Sequence, residues 1–140
     1  MIKITNSPEE TKHLAEDLAK EIKNSGGIVA LKGDLGAGKT TFAQGFAKGL
    51  GVEEKIISPT FIVIRQYEVP DTKMMFHHID LYRFEDNFDL KQSGIQEILE
   101  NKKSITLIEW AEKLNDKLPK GSIVVKLKRL SEDKREIIIN

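Results

Sequence analysis

Gly33-Asp34-Leu35-Gly36-Ala37-Gly38-Lys39-Thr40 satisfies every fixed position of the pattern G-x-x-x-x-G-K-[ST]. Gly33 and Gly38 permit a tight loop, and the small Gly36 and Ala37 let backbone N–H groups come close to an anion. Lys39 supplies an ammonium for the outer phosphates of a nucleotide. The hydroxyl of Thr40 can ligate Mg²⁺. A helix starting here directs the positive end of its dipole at the same anion. These residue types in this order predict a nucleotide phosphate site.

Such a loop needs a carboxylate for its metal, commonly at the end of an apolar strand. Glu109, after Ile105-Thr106-Leu107-Ile108, fits a metal-shell ligand; a solvated acid at a strand end is the alternative. Asp80, after Met74-Met75-Phe76-His77-His78-Ile79, is its rival and could orient water or hold a metal-bound water. His77 and His78 are neighbours, so on a strand they face opposite sides, and one packed and one exposed histidine are expected. Ser58-Pro59-Thr60-Phe61 occupies the place where many nucleotide hydrolases carry a γ-phosphate switch, although the residues themselves read as a proline turn. Trp110 reads as a core anchor or part of a partner surface, and Arg129 could reach a nucleotide.

The elements that must position these groups are legible on either side. Gly26-Gly27 breaks the chain, and Ile28-Val29-Ala30-Leu31 suits a buried parallel strand. Past the loop, Phe42, Phe46 and Leu50, with Ala43 and Ala47, form one apolar helical face, which Gly51 would cap. Ser7-Pro8-Glu9-Glu10 is a helix start with a capping box, predicting a helix from about Pro8 to Lys23. Phe61 to Glu68 and Met74 to Asp80 read as an antiparallel hairpin around Val69-Pro70-Asp71-Thr72-Lys73. Asp86 to Asn101 reads as helical with an interruption at Gly94, and Ser104 to Glu109 as a strand. Ala111 to Leu118 reads as a short helix ending before Pro119. Ser122 to Leu130 and Arg135 to Asn140 read as a closing hairpin. The expected fold is α/β: a three-layer phosphate-loop domain with a mixed sheet, parallel at the nucleotide site with antiparallel additions.

The 140 residues suit one domain spanning 1–140. Hydrophobic residues are 39% and charged residues 31%, with a formal net charge of +0. Without a basic excess the chain is not expected to grip nucleic acid by itself. There is no cysteine, hence no disulfide, thiol nucleophile or Cys-based zinc site. No signal peptide or membrane-spanning run is read, so a cytoplasmic location is expected.

Four segments together resemble the bacterial TsaE (YjeE) family, the small ATPase of tRNA threonylcarbamoyladenosine (t6A) biosynthesis. They are Gly33 to Thr41, Ser58-Pro59-Thr60-Phe61, His78-Ile79-Asp80-Leu81-Tyr82-Arg83 and Ile108-Glu109-Trp110-Ala111-Glu112. The resemblance implies ATP binding with Mg²⁺ and hydrolysis that is slow without partners. It implies action with the TsaB–TsaD pair, whose TsaD subunit transfers threonylcarbamoyl to adenosine 37 of tRNAs. Contact with tRNA would come only through these partners. The resemblance also makes Thr40 and Glu109 metal positions, Lys39 the phosphate clamp and Asp80 a needed carboxylate. Ser7 to Thr11 and Arg129 become adenine-side contacts. A small-molecule kinase is the main alternative, but the chain is short and has no Arg-rich lid. The guanine-reading N-K-x-D of GTPases is absent, since Asn101-Lys102-Lys103 is followed by Ser104.

Overall fold

Seven strands form one sheet in the order β1-β7-β6-β2-β5-β4-β3. In this computed structural model the described residues are 1–56, 64–85 and 89–140. The strands are β1 Ile2–Thr5, β2 Gly27–Lys32, β3 Ile64–Glu68, β4 Met75–Asp80, β5 Ser104–Glu109, β6 Ile123–Arg129 and β7 Arg135–Ile139. β6, β2, β5 and β4 run parallel. β3 on one flank, and β7 and β1 on the other, are added antiparallel. The sheet is therefore mixed as expected, with its parallel part where the phosphate loop leaves β2.

Helices α1 (Pro8–Ile22) and α2 (Lys39–Gly49) cover one face. Ser7 starts α1 as the sequence predicts: its hydroxyl accepts from the Glu10 N–H at 3.2 Å, and the Glu10 carboxylate accepts from the Asn6 N–H. Phe42, Phe46 and Leu50 are fully buried against Val29, Leu31 and Phe76. Burying each such side chain contributes about 1.5–3 kcal/mol. Gly51, at φ 83°, ends the helix, its N–H donating to the Lys48 carbonyl at 3.0 Å. Gly45 and Gly49 put no side chain between α1 and α2. A Cβ on Gly45 would lie 2.3 Å from the Lys12 carbonyl oxygen, and one on Gly49 2.4 Å from that of Glu16.

The opposite face is covered by α3 (Ile95–Glu100) and a 3₁₀ segment, Ala111–Lys117. Ile95, Leu99, Ala111 and Leu114 bury against Ala30, Ile79 and Ile108. The expected interruption at Gly94, at φ 85°, is where α3 starts, and residues 90–94 before it form turns rather than the expected helix. The short helix expected after Trp110 is a 3₁₀ segment bent at Asn115, which takes φ 51° and ψ −122°. β1 went unread in the sequence and pairs with β7 at the sheet edge. The Ser58 to Phe61 segment, the expected strand start at Phe61 and the expected helix start at Asp86 lie outside the described residues. Among the described residues no helix is long and apolar enough to cross a membrane.

Candidate functional site

Parallel pairing brings the candidate residues to one edge of the sheet. Leu31 pairs with Glu109, and Glu109 with Asp80, so the loop after β2 and the two carboxylates lie side by side at the carboxyl ends of three strands. Side chains alternate along a strand, so Phe76, His78 and Asp80 share one face of β4, and Ile105, Leu107 and Glu109 share that face of β5. This is the face on which α2 packs, with Phe46 and Phe76 rings 5.7 Å apart.

The phosphate loop is held by its own backbone and by distant groups. The Ala37 N–H donates to the Asp34 carbonyl at 3.0 Å. Gly38 precedes α2 at φ 102°. Gly33 passes so close to β6 that a Cβ there would meet the Leu127 carbonyl oxygen at 2.6 Å. Its N–H donates to Glu112 Oε2 at 3.1 Å. Glu112 thereby ties the segment after β5 to the loop. Nothing in the sequence singles out Glu112 for that role.

Lys39 is buried to 6% exposure. Its Nζ donates to the Asp34 carbonyl at 2.9 Å and to the Gly33 carbonyl, and lies 3.9 Å from the centre of the Trp110 ring. Burial lowers the Lys39 pKa, while Glu112, Glu109, Asp80 and Asp34 oppose that shift. Trp110 has a left-handed backbone, φ 59°, uncommon for a large side chain and local to this site. Its ring packs against Tyr82 at 4.9 Å.

A cleft of about 370 Å³ opens over the loop, lined by Gly36, Gly38, Lys39, Thr40, Thr41, Asp80, Glu109, Trp110 and Arg135, with Leu35 and Tyr82 at its rim. Roomier clefts lie elsewhere, such as one of about 1240 Å³ beside the β3–β4 turn, but none of those residues belongs to the loop or its acids. Asp80 and Glu109 are almost wholly buried, at 5% and 2% exposure. Asp80 Oδ1 accepts from the Tyr82 N–H at 2.9 Å, which fixes the turn after β4. Glu109 Oε2 is bonded to His78 Nε2 at 2.6 Å. Both histidines of β4 are buried, His77 at 6% and His78 at 0%, so the expected exposed histidine is corrected. β4 lies inside the sheet and is covered on both faces, leaving neither side open to solvent. Burial lowers the His77 pKa.

The other sequence candidates are distributed around the loop. Thr11 lines a small recess together with Pro8, Gly38, Thr41 and Arg135. Its hydroxyl is bonded to that of Thr5 at 2.7 Å. The Ser7 hydroxyl serves as the α1 cap. Arg129 is exposed, its Nε donating to the Ser131 carbonyl at 3.3 Å, and its Nη1 lies 4.0 Å from where a Gly36 Cβ would stand. Arg135 was not singled out from the sequence. It lines both the cleft and the recess, and its Nη1 donates to the carbonyls of Ser131, Glu132 and Lys134. A cation on the last strand facing the loop only through β6–β7 pairing leaves no local sequence signal.

The oxygen donors at the cleft suit a hard cation. Among the described residues no group of three or more His, Cys, Asp or Glu side chains could hold a metal by itself. Mg²⁺ needs no such cage, because it takes one or two carboxylates, retains waters and uses substrate phosphates. Thr40, Asp80 and Glu109 fit that donor set.

Over nearly the whole chain, residues 5–137, the sequence matches the family model described as "Threonylcarbamoyl adenosine biosynthesis protein TsaE". The chain belongs to the TsaE family. It is 40% identical over 133 residues to a Bacillus subtilis protein named tRNA threonylcarbamoyladenosine biosynthesis protein TsaE, covering 95% of this chain and 80% of the relative. A Rickettsia bellii protein of the same name is 41% identical over 133 residues, covering 94% and 89% of the two chains. The crystal structure of YdiB from Bacillus subtilis superposes with a TM-score of 0.76 at 34% identity, covering 98% of this chain and 82% of that one.

Proposed function

We propose that this TsaE-family chain is a cytoplasmic, Mg²⁺-dependent ATP-binding and ATP-hydrolysing subunit that serves threonylcarbamoylation of tRNA adenosine 37 together with the TsaB–TsaD pair. Residues 1–140 act as one phosphate-loop domain. The observation that carries the reading is the intact phosphate loop with Asp80 and Glu109 paired in register at its mouth.

The backbone N–H groups from Gly33 to Thr41 cradle the β- and γ-phosphates. Lys39 exchanges its carbonyl partners, Gly33 and Asp34, for phosphate oxygens, a stronger charge-assisted contact. Thr40 and Glu109 would hold the Mg²⁺, with Asp80 close by; once bound, the ion would supply charge neutralisation for the phosphates during transfer. Asp80, held by the Tyr82 N–H, orients the attacking water. Thr11, with Ser7 nearby, and Arg135, with Arg129 beyond it, border the nucleoside end of the site. With a formal net charge of +0, the chain meets tRNA only through its protein partners.

Titration of the chain with ATP, GTP and ADP by thermal shift, with and without Mg²⁺, tests the nucleotide part. ATP and ADP should stabilise the protein and GTP should not. Stabilisation by a small-molecule phosphate acceptor would favour a kinase instead.

A further inference from the structure

We infer that His78 is a positioning residue for Glu109: its Nε2–H fixes the glutamate carboxylate in the orientation in which it serves the metal. This rests on the reading of Glu109 as a metal-shell ligand. The two side chains come from adjacent parallel strands, and their 2.6 Å contact is closed to solvent, with side-chain exposures of 0% and 3%. His78 pairs with Leu107 and Asp80 with Glu109, so the imidazole stands one step deeper in the sheet on the same face. It does not line the cleft, whereas Glu109 does. His78 therefore reaches the site through Glu109 rather than by touching a nucleotide.

The ring has little freedom to turn away. It lies parallel to Phe76 at 6.3 Å, with an interplanar angle of 6°, and Phe76 is itself packed against Phe46 and Tyr67. An ionised carboxylate offers only acceptors, so the hydrogen bond requires the proton on Nε2. Nδ1 is buried without a hydrogen-bond partner among the described residues, consistent with that tautomer. Without His78, a nearly buried carboxylate would lose its charge-assisted partner and its fixed rotamer. Partners of this kind commonly set metal affinity by about 10- to 100-fold.

Calorimetric ADP titrations across a Mg²⁺ series, on the full chain, test the assignment. His78→Leu should raise the Mg²⁺ concentration needed for half-maximal enhancement of ADP binding by about 10- to 100-fold, leaving metal-free ADP affinity unchanged. His78→Gln, whose amide N–H₂ can reach the same oxygen, should recover most of that loss. Equal loss of metal-free affinity in His78→Leu would make the residue merely structural and overturn the proposal. So would wild-type Mg²⁺ dependence in His78→Leu when Glu109→Gln shifts it. If Glu109→Gln leaves Mg²⁺ dependence unchanged, the metal reading of Glu109 fails and the proposal falls with it. The wild-type chain supplies a test that needs no variant to fold: imidazole ¹⁵N spectra should show His78 protonated at Nε2. A bare Nε2 would overturn the assignment.

Discussion

Lys39 stands where a nucleotide's outer phosphates would draw it, yet in this structure its ammonium is folded onto the carbonyls of its own loop and beneath Trp110. Lys39→Ala should preserve the fold, because these contacts serve the loop rather than the core. Losing a charge-assisted contact worth about 1.5–3 kcal/mol weakens triphosphate binding roughly 10- to 150-fold. Unchanged ATP affinity by calorimetry would remove Lys39 from the site. The two carboxylates separate by role. Asp80→Asn should keep ATP affinity and lose turnover, since the loop supplies most of the grip. Glu109→Gln should shift the Mg²⁺ dependence, because an amide is a poorer metal partner than a carboxylate. Normal t6A formation by Asp80→Asn in a reconstituted reaction would refute its catalytic role. The phosphate loop, Asp80 and Glu109 could be read from the sequence because a contiguous motif and apolar runs ending in acids mark them. Arg135 and the His78–Glu109 bond could not, since pairing between strands creates both.

Helix packing shows the same division at the scale of elements. The apolar faces of α1 and α2 repeat at helical spacing, and the capping box of α1 is spelled out in four residues, so both helices appear in the sequence with near-correct bounds. Their close approach is less visible. Gly45 and Gly49 look like ordinary helix-weakening residues until the Lys12 and Glu16 carbonyls are seen lying against them. Gly45→Ala should therefore destabilise the protein despite alanine's better helix propensity. Inserting a methyl into such a contact costs about 1–3 kcal/mol, readable as a lower chemical-denaturation midpoint at unchanged slope. An equal or higher midpoint would mean that the two helices can separate without loss. β1 escaped notice for a different reason. Four residues with three exposed carry no burial pattern, and their partner strand lies at the far end of the chain. The regular helix expected after Trp110 failed because Asn115 takes a positive φ that no pattern of apolar residues announces.

At the scale of the whole molecule, the sheet carries the phosphate loop and aligns Asp80 and Glu109 beside it. Phosphoryl transfer needs charge stabilisation from several positioned cations and an oriented water. Among the described residues the cations lining the cleft are Lys39 and Arg135, and the Arg135 guanidinium is already engaged with carbonyls of the β6–β7 turn. Under the proposed function, that arrangement predicts slow hydrolysis by the chain alone, with the missing group supplied in trans. In related systems such a group is worth about 10³–10⁵ in rate. The measurement that tests this account most directly is steady-state ATP hydrolysis by the chain alone, with TsaB–TsaD, and with TsaB–TsaD plus tRNA. The predicted result is slow turnover alone that rises severalfold or more when the partners are added. Fast hydrolysis by the isolated chain, unchanged by those partners, would contradict it.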